Sequence, residues 1–302
     1  MHLSYQKPSI WTTTLVRARE SLIDGVLRVD KHHVLNPDVT DSEQTADVDL
    51  LVELKRTTNT IKAQAIDDHG AHVDYGIIHQ SSAYQNFRRS SMPQLGAFNP
   101  EQLASHTEKL AFWINLYNVL LMDAVITFDV QQSVTEGRLG LLSFFRRAAY
   151  NVGGQRLSAE DIEHGILRGN AGHPYLPGPQ FAASDPRASW ILYPFDPRIH
   201  FALNCASRSC PPIAVYDSNH IDAQLDLATR SFVDADVVLD AESNQVRLSS
   251  IFKWYRQDFG GHSGVIAFLL DHLPGDQRRS WLQQHAESIR LVYSPYDWSL
   301  NN

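Results

Sequence analysis

The sequence predicts a helix-rich α+β domain with a small central antiparallel or mixed sheet and a helical N-terminal extension. Three observations carry that expectation. Residues 110–128 are apolar almost all round, the signature of a helix buried on most faces. Short strand-like runs at 237–239, 245–248 and 289–293 sit among helical segments with no regular βαβ alternation. The chain has 302 residues, of which 43% are hydrophobic and 20% charged, a globular balance large enough for a sizeable core.

Along the chain, His32, His33, Asn36 and Pro37 read as loop chemistry. Thr40 to Glu43 reads as a helix start, and Leu50, Leu51, Leu54, Ile61 and Ala65 carry the periodicity into the sixties. A second helical run covers 73–89, with Tyr75, Ile78, Tyr84 and Phe87 facing a core. A loop at 93–100 leads into the main helix, 100–128. Asn151-Val-Gly-Gly-Gln-Arg-Leu157 reads as a hairpin, and Ser158-Ala-Glu-Asp161 as a capping-box start for a helix to Arg168. Three glycines and four prolines make 169–186 a long loop. Strands are expected at 190–193 and 198–204, a helix at 221–233, the two strands at 237–239 and 245–248, helices at 250–259, 264–273 and 280–287, and a last strand at 289–293. The domain is taken as 73–302 and the extension as 1–72.

Composition narrows the function. A net charge of −8 with scattered Lys and Arg speaks against nucleic acid and against an anionic membrane surface. Asn115, Asn118 and Asp123 interrupt the longest apolar run, so no membrane span is expected. The N-terminus lacks an apolar core of signal-peptide length, which makes the cytoplasm the default compartment. The expected partner is a small-molecule or peptide substrate, and no cofactor is implied.

The chemistry concentrates in Arg198-Ile-His-Phe-Ala-Leu-Asn-Cys-Ala-Ser-Arg-Ser-Cys-Pro-Pro212, which holds both cysteines. As a strand, it would turn Ile199, Phe201 and Leu203 to a core and His200 to the other face, with Cys205 at the strand end. Cys210, ahead of Pro211, would be a helix N-cap, where the local field lowers a thiol pKa. Three readings compete. Cys205 is a nucleophile paired with His200 or His164. Or His200, Cys205 and Cys210 bind zinc in a His-x4-Cys-x4-Cys arrangement, completed by His164 or Glu163. Or both cysteines are small buried residues, bridged only in an oxidising compartment. Asn115 and Asn118 share one face of the buried helix, where they orient a histidine, donate to an oxyanion or form a structural network. Glu163 and His164 point about 100° apart on their helix, so Glu163 is placed to hold an imidazole from elsewhere. The plain alternative for that pair is a surface position over Ile162, Ile166 and Leu167.

Ala111-Phe-Trp-Ile-Asn-Leu-Tyr-Asn118, Asp161-Ile-Glu-His-Gly-Ile-Leu-Arg168 and His200-Phe-Ala-Leu-Asn-Cys205 together resemble the motif set of the domain of unknown function 547 family. Ser249-Ser-Ile-Phe-Lys-Trp-Tyr-Arg-Gln-Asp-Phe259 and Tyr296-Asp-Trp-Ser-Leu-Asn301 resemble its bacterial form, from about residue 73 to the C-terminus. No agreed activity comes with the resemblance. It implies shared positions at Asn115, Asn118, Glu163, His164, Arg168, His200 and Cys205, in separate motifs that converge on one site. In plant members the position of Cys210 is often Ser, which implies that Cys205 is the more general thiol and weakens a two-cysteine zinc site.

The leading expectation is a cysteine-dependent hydrolase or acyltransferase acting on an amide or thioester-like bond. Cys205 is its nucleophile, His200 or His164 its base, Glu163 the orienter, and Asn115 or Asn118 an orienter or oxyanion donor. The order Asn, His, Cys reverses that of papain-like enzymes, so the likeness is one of roles. The rivals are a non-catalytic binding or scaffold module and a zinc-stabilised domain.

Overall fold

The computed structural model describes residues 12–36, 49–136 and 140–302. The helix start expected at Thr40 to Glu43 lies outside them. The helical extension opens with helix α1 (Thr13–Leu27), capped by the Thr12 hydroxyl on the Leu15 N–H, and residues 32–36 follow it as turn and loop. Helix α2 (Leu50–Ala65) begins at Asp49, whose carboxylate accepts from the N–H groups of Leu51 and Val52. The run expected at 73–89 is divided at Ser81 into α3 (Tyr75–Gln80) and α4 (Ser82–Asn86).

Helix α5 (His106–Thr127) is the centre of the fold. It starts at Ser105 rather than near Pro100, because Ser105 and Glu108 form a reciprocal capping box. Every residue from Leu110 to Val125 is buried. By length and mean hydropathy (1.5) this helix passes for a membrane span, contrary to the expectation that its polar residues exclude one, but 89% of its apolar window is covered by the rest of the protein. Leu54 and Ile61 of α2 pack into the same core as α5.

Helix α6 (Gly140–Arg147) leads to strands β1 (Ala149–Val152) and β2 (Gln155–Ser158), an antiparallel hairpin. Gly153 and Gly154 both take positive φ, as a two-residue hairpin turn requires. Ser158 and Asp161 then form the predicted box: the Ser158 hydroxyl accepts from the Asp161 N–H, and Asp161 Oδ2 accepts from the Ser158 N–H. The helix it opens is wound in π geometry over Asp161–Leu167.

The strands expected at 190–193 and 198–204 do not form. Trp190 ends a 3₁₀ turn, Pro186–Trp190, and His200 lies in a second, Pro197–Phe201. Asp185-Pro186 and Asp196-Pro197 explain both. Each Asp caps the N–H two residues on, and each Pro fits a first helical position. The helical turn sends Ile199 to the core around α5 and Phe201 to a second core, a division that strand alternation does not allow. Cys210 caps no helix, because Pro211 and Pro212 continue as extended chain.

The second core is built from α7 (Ile221–Asp236), strands β3 (Val238–Asp240) and β4 (Gln245–Leu248), α8 (Ser250–Trp254), α9 (Gly261–His272), α10 (Gln277–His285) and strand β5 (Arg290–Tyr293). β3 pairs antiparallel with β4, and β4 pairs parallel with β5, so the sheet is mixed. The fold is helix-rich α+β with a helical N-terminal region, as the sequence predicts.

Candidate functional site

A cavity of about 350 Å³ opens between the two cores. Tyr117 of α5 and Leu203 wall one side; Ile251, Trp254 and Tyr255 wall the other. The polar groups in its lining include Glu160, Glu163, His164, His200, Cys205 and Cys210. Of the residues proposed from sequence, Glu163, His164, His200 and Cys205 therefore meet around one space, although 42 positions of sequence separate Glu163 from Cys205.

Asn115 and Asn118 stand behind that space. Asn115 Nδ2 donates to the Tyr216 carbonyl (2.8 Å) and its Oδ1 accepts from the Tyr216 N–H (3.0 Å). Asn118 Nδ2 donates to the Ala202 carbonyl (3.0 Å) and its Oδ1 accepts from the Asn204 N–H (2.9 Å). Asn204 in turn donates to the Pro211 carbonyl. The helix amides thus clamp the loop that carries both cysteines, and their hydrogen-bonding capacity goes to backbone rather than to an imidazole.

The imidazoles are held by a buried ion pair. Arg168 binds Asp258 in a fork, Nε to Oδ2 at 2.6 Å and Nη2 to Oδ1 at 2.9 Å. Asp258 Oδ2 also meets His200 Nε2 at 2.9 Å. A carboxylate only accepts, so His200 carries its proton on Nε2, and Nδ1 keeps a lone pair while the ring is neutral. Arg168 Nη1 lies 3.1 Å from His164 Nδ1. A guanidinium only donates, so the His164 proton sits on Nε2. Burial lowers both histidine pKa values, opposed by Asp258 at His200 and reinforced by the Arg168 charge at His164. Burial pushes Asp258 up, but its bonds to His200 and Arg168 outweigh this and hold it below the usual carboxylate range.

Glu163 accepts from two phenols, Tyr117 (3.0 Å) and Tyr255 (2.6 Å), both kept protonated by burial. The Tyr255 ring stacks on His200 with centroids 3.9 Å apart and lies under the Arg168 guanidinium. Asp258 thus occupies the orienting position that the sequence reading assigns to Glu163. Glu160 is a further acid on the cavity wall. Arg146 is shared among Glu160, Glu20 and Asp24, so one guanidinium serves three carboxylates. Burial pushes the most enclosed of them, Glu160, up to about 8.

Cys205 and Cys210 are joined in a disulfide, Cα atoms 6.1 Å apart, so neither is a free thiol in this structure. The Ser207 and Tyr296 hydroxyls touch both sulfurs, at 3.0 and 3.2 Å from Cys205 Sγ and at 3.3 and 3.1 Å from Cys210 Sγ. The Cys205 N–H donates to Cys210 Sγ (2.9 Å). The alternative zinc set of His200, Cys205, Cys210 and His164 is not assembled: the sulfurs bond each other, and the rings bond Asp258 and Arg168. Among the described residues no three His, Cys, Asp or Glu side chains form a group able to hold a metal ion.

Asp258, Tyr255, Tyr296 and Glu160 escape a reading of the sequence for catalytic residues. Asp258 and Tyr255 lie within the Ser249–Phe259 motif and Tyr296 opens the C-terminal one, so the signal was the motifs themselves, not residue spacing. No curated protein and no solved structure matches the chain. Residues 89–233 match the family described as "Protein of unknown function, DUF547", a span that holds Asn115, Asn118, Glu163, His164, Arg168, His200 and both cysteines and leaves Asp258 and Tyr296 beyond it.

Proposed function

We propose that the reduced protein is a thiol-dependent hydrolase or acyltransferase for a small, partly aromatic or apolar substrate carrying an amide or thioester-like bond. The observation that carries this reading is the convergence of Cys205 with two oriented imidazoles on one aromatic-lined cavity. Cys205 is the nucleophile. His200, with Asp258 fixing its proton on Nε2, offers a free Nδ1 lone pair and serves as base. His164, whose Nδ1 faces Arg168, has only an N–H to offer and donates to a developing oxyanion. Glu163 and its two tyrosines shape the polar end of the pocket. The reading places the active form in a reducing compartment such as the cytoplasm, where pairs of this kind are kept open.

The test is turnover of a panel of aryl thioesters and anilides by protein treated with a reductant. The reading expects turnover that disappears in Cys205→Ser and falls by about 10²–10⁴-fold in His200→Asn, the range for loss of a positioned base. Turnover that survives Cys205→Ser overturns it. Ligand binding in the cavity with no turnover by any member favours the binding-module reading instead.

A further inference from the structure

A second cavity, of about 310 Å³, lies on the far side of the sulfur pair. Cys210 and Tyr296 line both cavities, whereas Cys205 lines only the first. The disulfide therefore forms part of a wall between two spaces, and its two sulfurs are presented unequally. The second cavity differs in chemistry from the aromatic first. Ser231, Ser250 and Ser294 supply hydroxyls, and Arg208 and Asp236 supply one charge of each sign. Arg208 is exposed. Among the described residues its guanidinium makes no direct ion pair, and its charge helps lower the pKa of the exposed Asp297 carboxylate nearby.

We propose that a small zwitterionic thiol of the cysteinyl-peptide class binds in this second cavity and opens the disulfide by attack on Cys210. Its carboxylate pairs with Arg208 and its ammonium with Asp236. The incoming thiolate forms a bond to Cys210 Sγ as the Cys205–Cys210 bond breaks. The electron pair leaves on Cys205 Sγ, inside the first cavity, where the Ser207 and Tyr296 hydroxyls receive the charge. A second molecule of the thiol attacks the mixed disulfide and departs as its own disulfide, with Cys210 released as the thiolate. Two external thiols are oxidised and one protein disulfide is reduced, so electrons balance. The direction of attack matters, because it frees the cysteine that lines the first cavity together with His200 and His164 and leaves that cavity open to substrate. The exchange step stands by itself; its value as activation rests on the proposed function.

The experiment uses the full chain and glutathione as probe. The oxidised wild-type protein is exposed to reduced glutathione, the reaction is quenched with acid, and the mixed disulfide is mapped by peptide mass spectrometry. The glutathionyl group is expected on Cys210 about ten times as often as on Cys205, since exchange depends on which sulfur is attacked and on access to it. In otherwise wild-type protein, Arg208→Glu is expected to slow reduction by glutathione about five-fold, the scale of an exposed ion pair, and to leave reduction by cysteamine, which has no carboxylate, unchanged. An equal or larger share of the glutathionyl adduct on Cys205, or an Arg208→Glu effect identical for both thiols, overturns the proposal. Exchange with the expected regiochemistry but no thioester turnover by the reduced protein defeats the proposed function alone.

Discussion

Two buried carboxylates use nearly the same partners in different ways. Asp123, on the central helix, accepts from Tyr84, Arg88, Thr127 and Tyr150 and is wholly buried. Asp258 accepts from Arg168 and His200, and the Tyr255 ring packs against both of them. Each is an acid, an arginine and tyrosine rings. Around Asp123 every partner ends in the core or at its edge, and none lines the cavity. Around Asp258, its partner His200 and the residues its Arg168 touches, His164 and Tyr255, form the cavity wall. Buried charge alone is therefore no sign of function; what distinguishes the second cluster is that its ion pair fixes the proton positions of groups that reach an open space.

The comparison can be broken at several points. The largest effect is expected from Asp123→Ala, which strands the Arg88 guanidinium and two buried phenols. It should cost about 3–5 kcal/mol in urea unfolding and leave the alkylation rate of Cys205 in the folded fraction unchanged. A slower Cys205 would mean the two clusters are coupled.

Glu160 gives a pH signature. A carboxyl whose folded pKa is raised binds its proton more tightly in the folded state. Its stabilising effect is full below the unfolded value, near 4.3, and is lost as pH rises through about 8. Wild-type stability should fall across that window by an amount on the order of 2–4 kcal/mol, and Glu160→Gln should flatten the slope. Parallel curves for the two proteins would remove Glu160 from the account.

Asp258 has the opposite sign. Its folded pKa is depressed, so its contribution is present above the unfolded value and lost as pH falls below it toward the folded one. Asp258→Asn should cost about 1.5–3 kcal/mol near neutral pH, the worth of hydrogen bonds to charged groups, and should lose that acid sensitivity. Nitrogen-15 NMR of His200 should show the proton leaving Nε2 for a mixed tautomer in the variant; an unchanged tautomer would contradict the positioning role of Asp258.

Asn118→Ala is expected to cost about 1–3 kcal/mol, because the Ala202 carbonyl and the Asn204 N–H lose their partners. Protease cleavage between Ala202 and Pro211 should speed up in step. A stability loss without faster cleavage would place the clamp's role elsewhere than in the cysteine loop.

Local signals were legible where one physical requirement dominates. Ser105 with Glu108 and Ser158 with Asp161 cap as their spacing demands, Gly153-Gly154 turns the hairpin, and the apolar run of α5 is buried throughout. The segment around His200 misleads because its alternating apolar pattern competes with Asp196-Pro197, and the cap and proline set the backbone. Glu163 and His164 read equally well as a surface pair, since their helix is buried only by elements distant in sequence. The disulfide depends on a loop whose closure is fixed by Asn204 beside it and by Asn118 and the C-terminal Tyr296 segment, both distant in sequence. Asp258 could not be paired with His200 from spacing, because 58 positions, two helices and a strand pair separate them.

The central claim is that Cys205, once reduced, is an activated thiol set by the groups around the first cavity. Alkylation of the reduced, folded protein by iodoacetamide across pH 5–10, with each cysteine quantified by mass spectrometry, tests it directly. The account predicts that Cys205 reacts with an apparent pKa below the free-thiol value of about 8.5, ahead of Cys210, and that Asp258→Asn shifts that profile. If Cys205 reacts only after denaturation, or titrates at or above the free-thiol value in the folded protein, the account is contradicted.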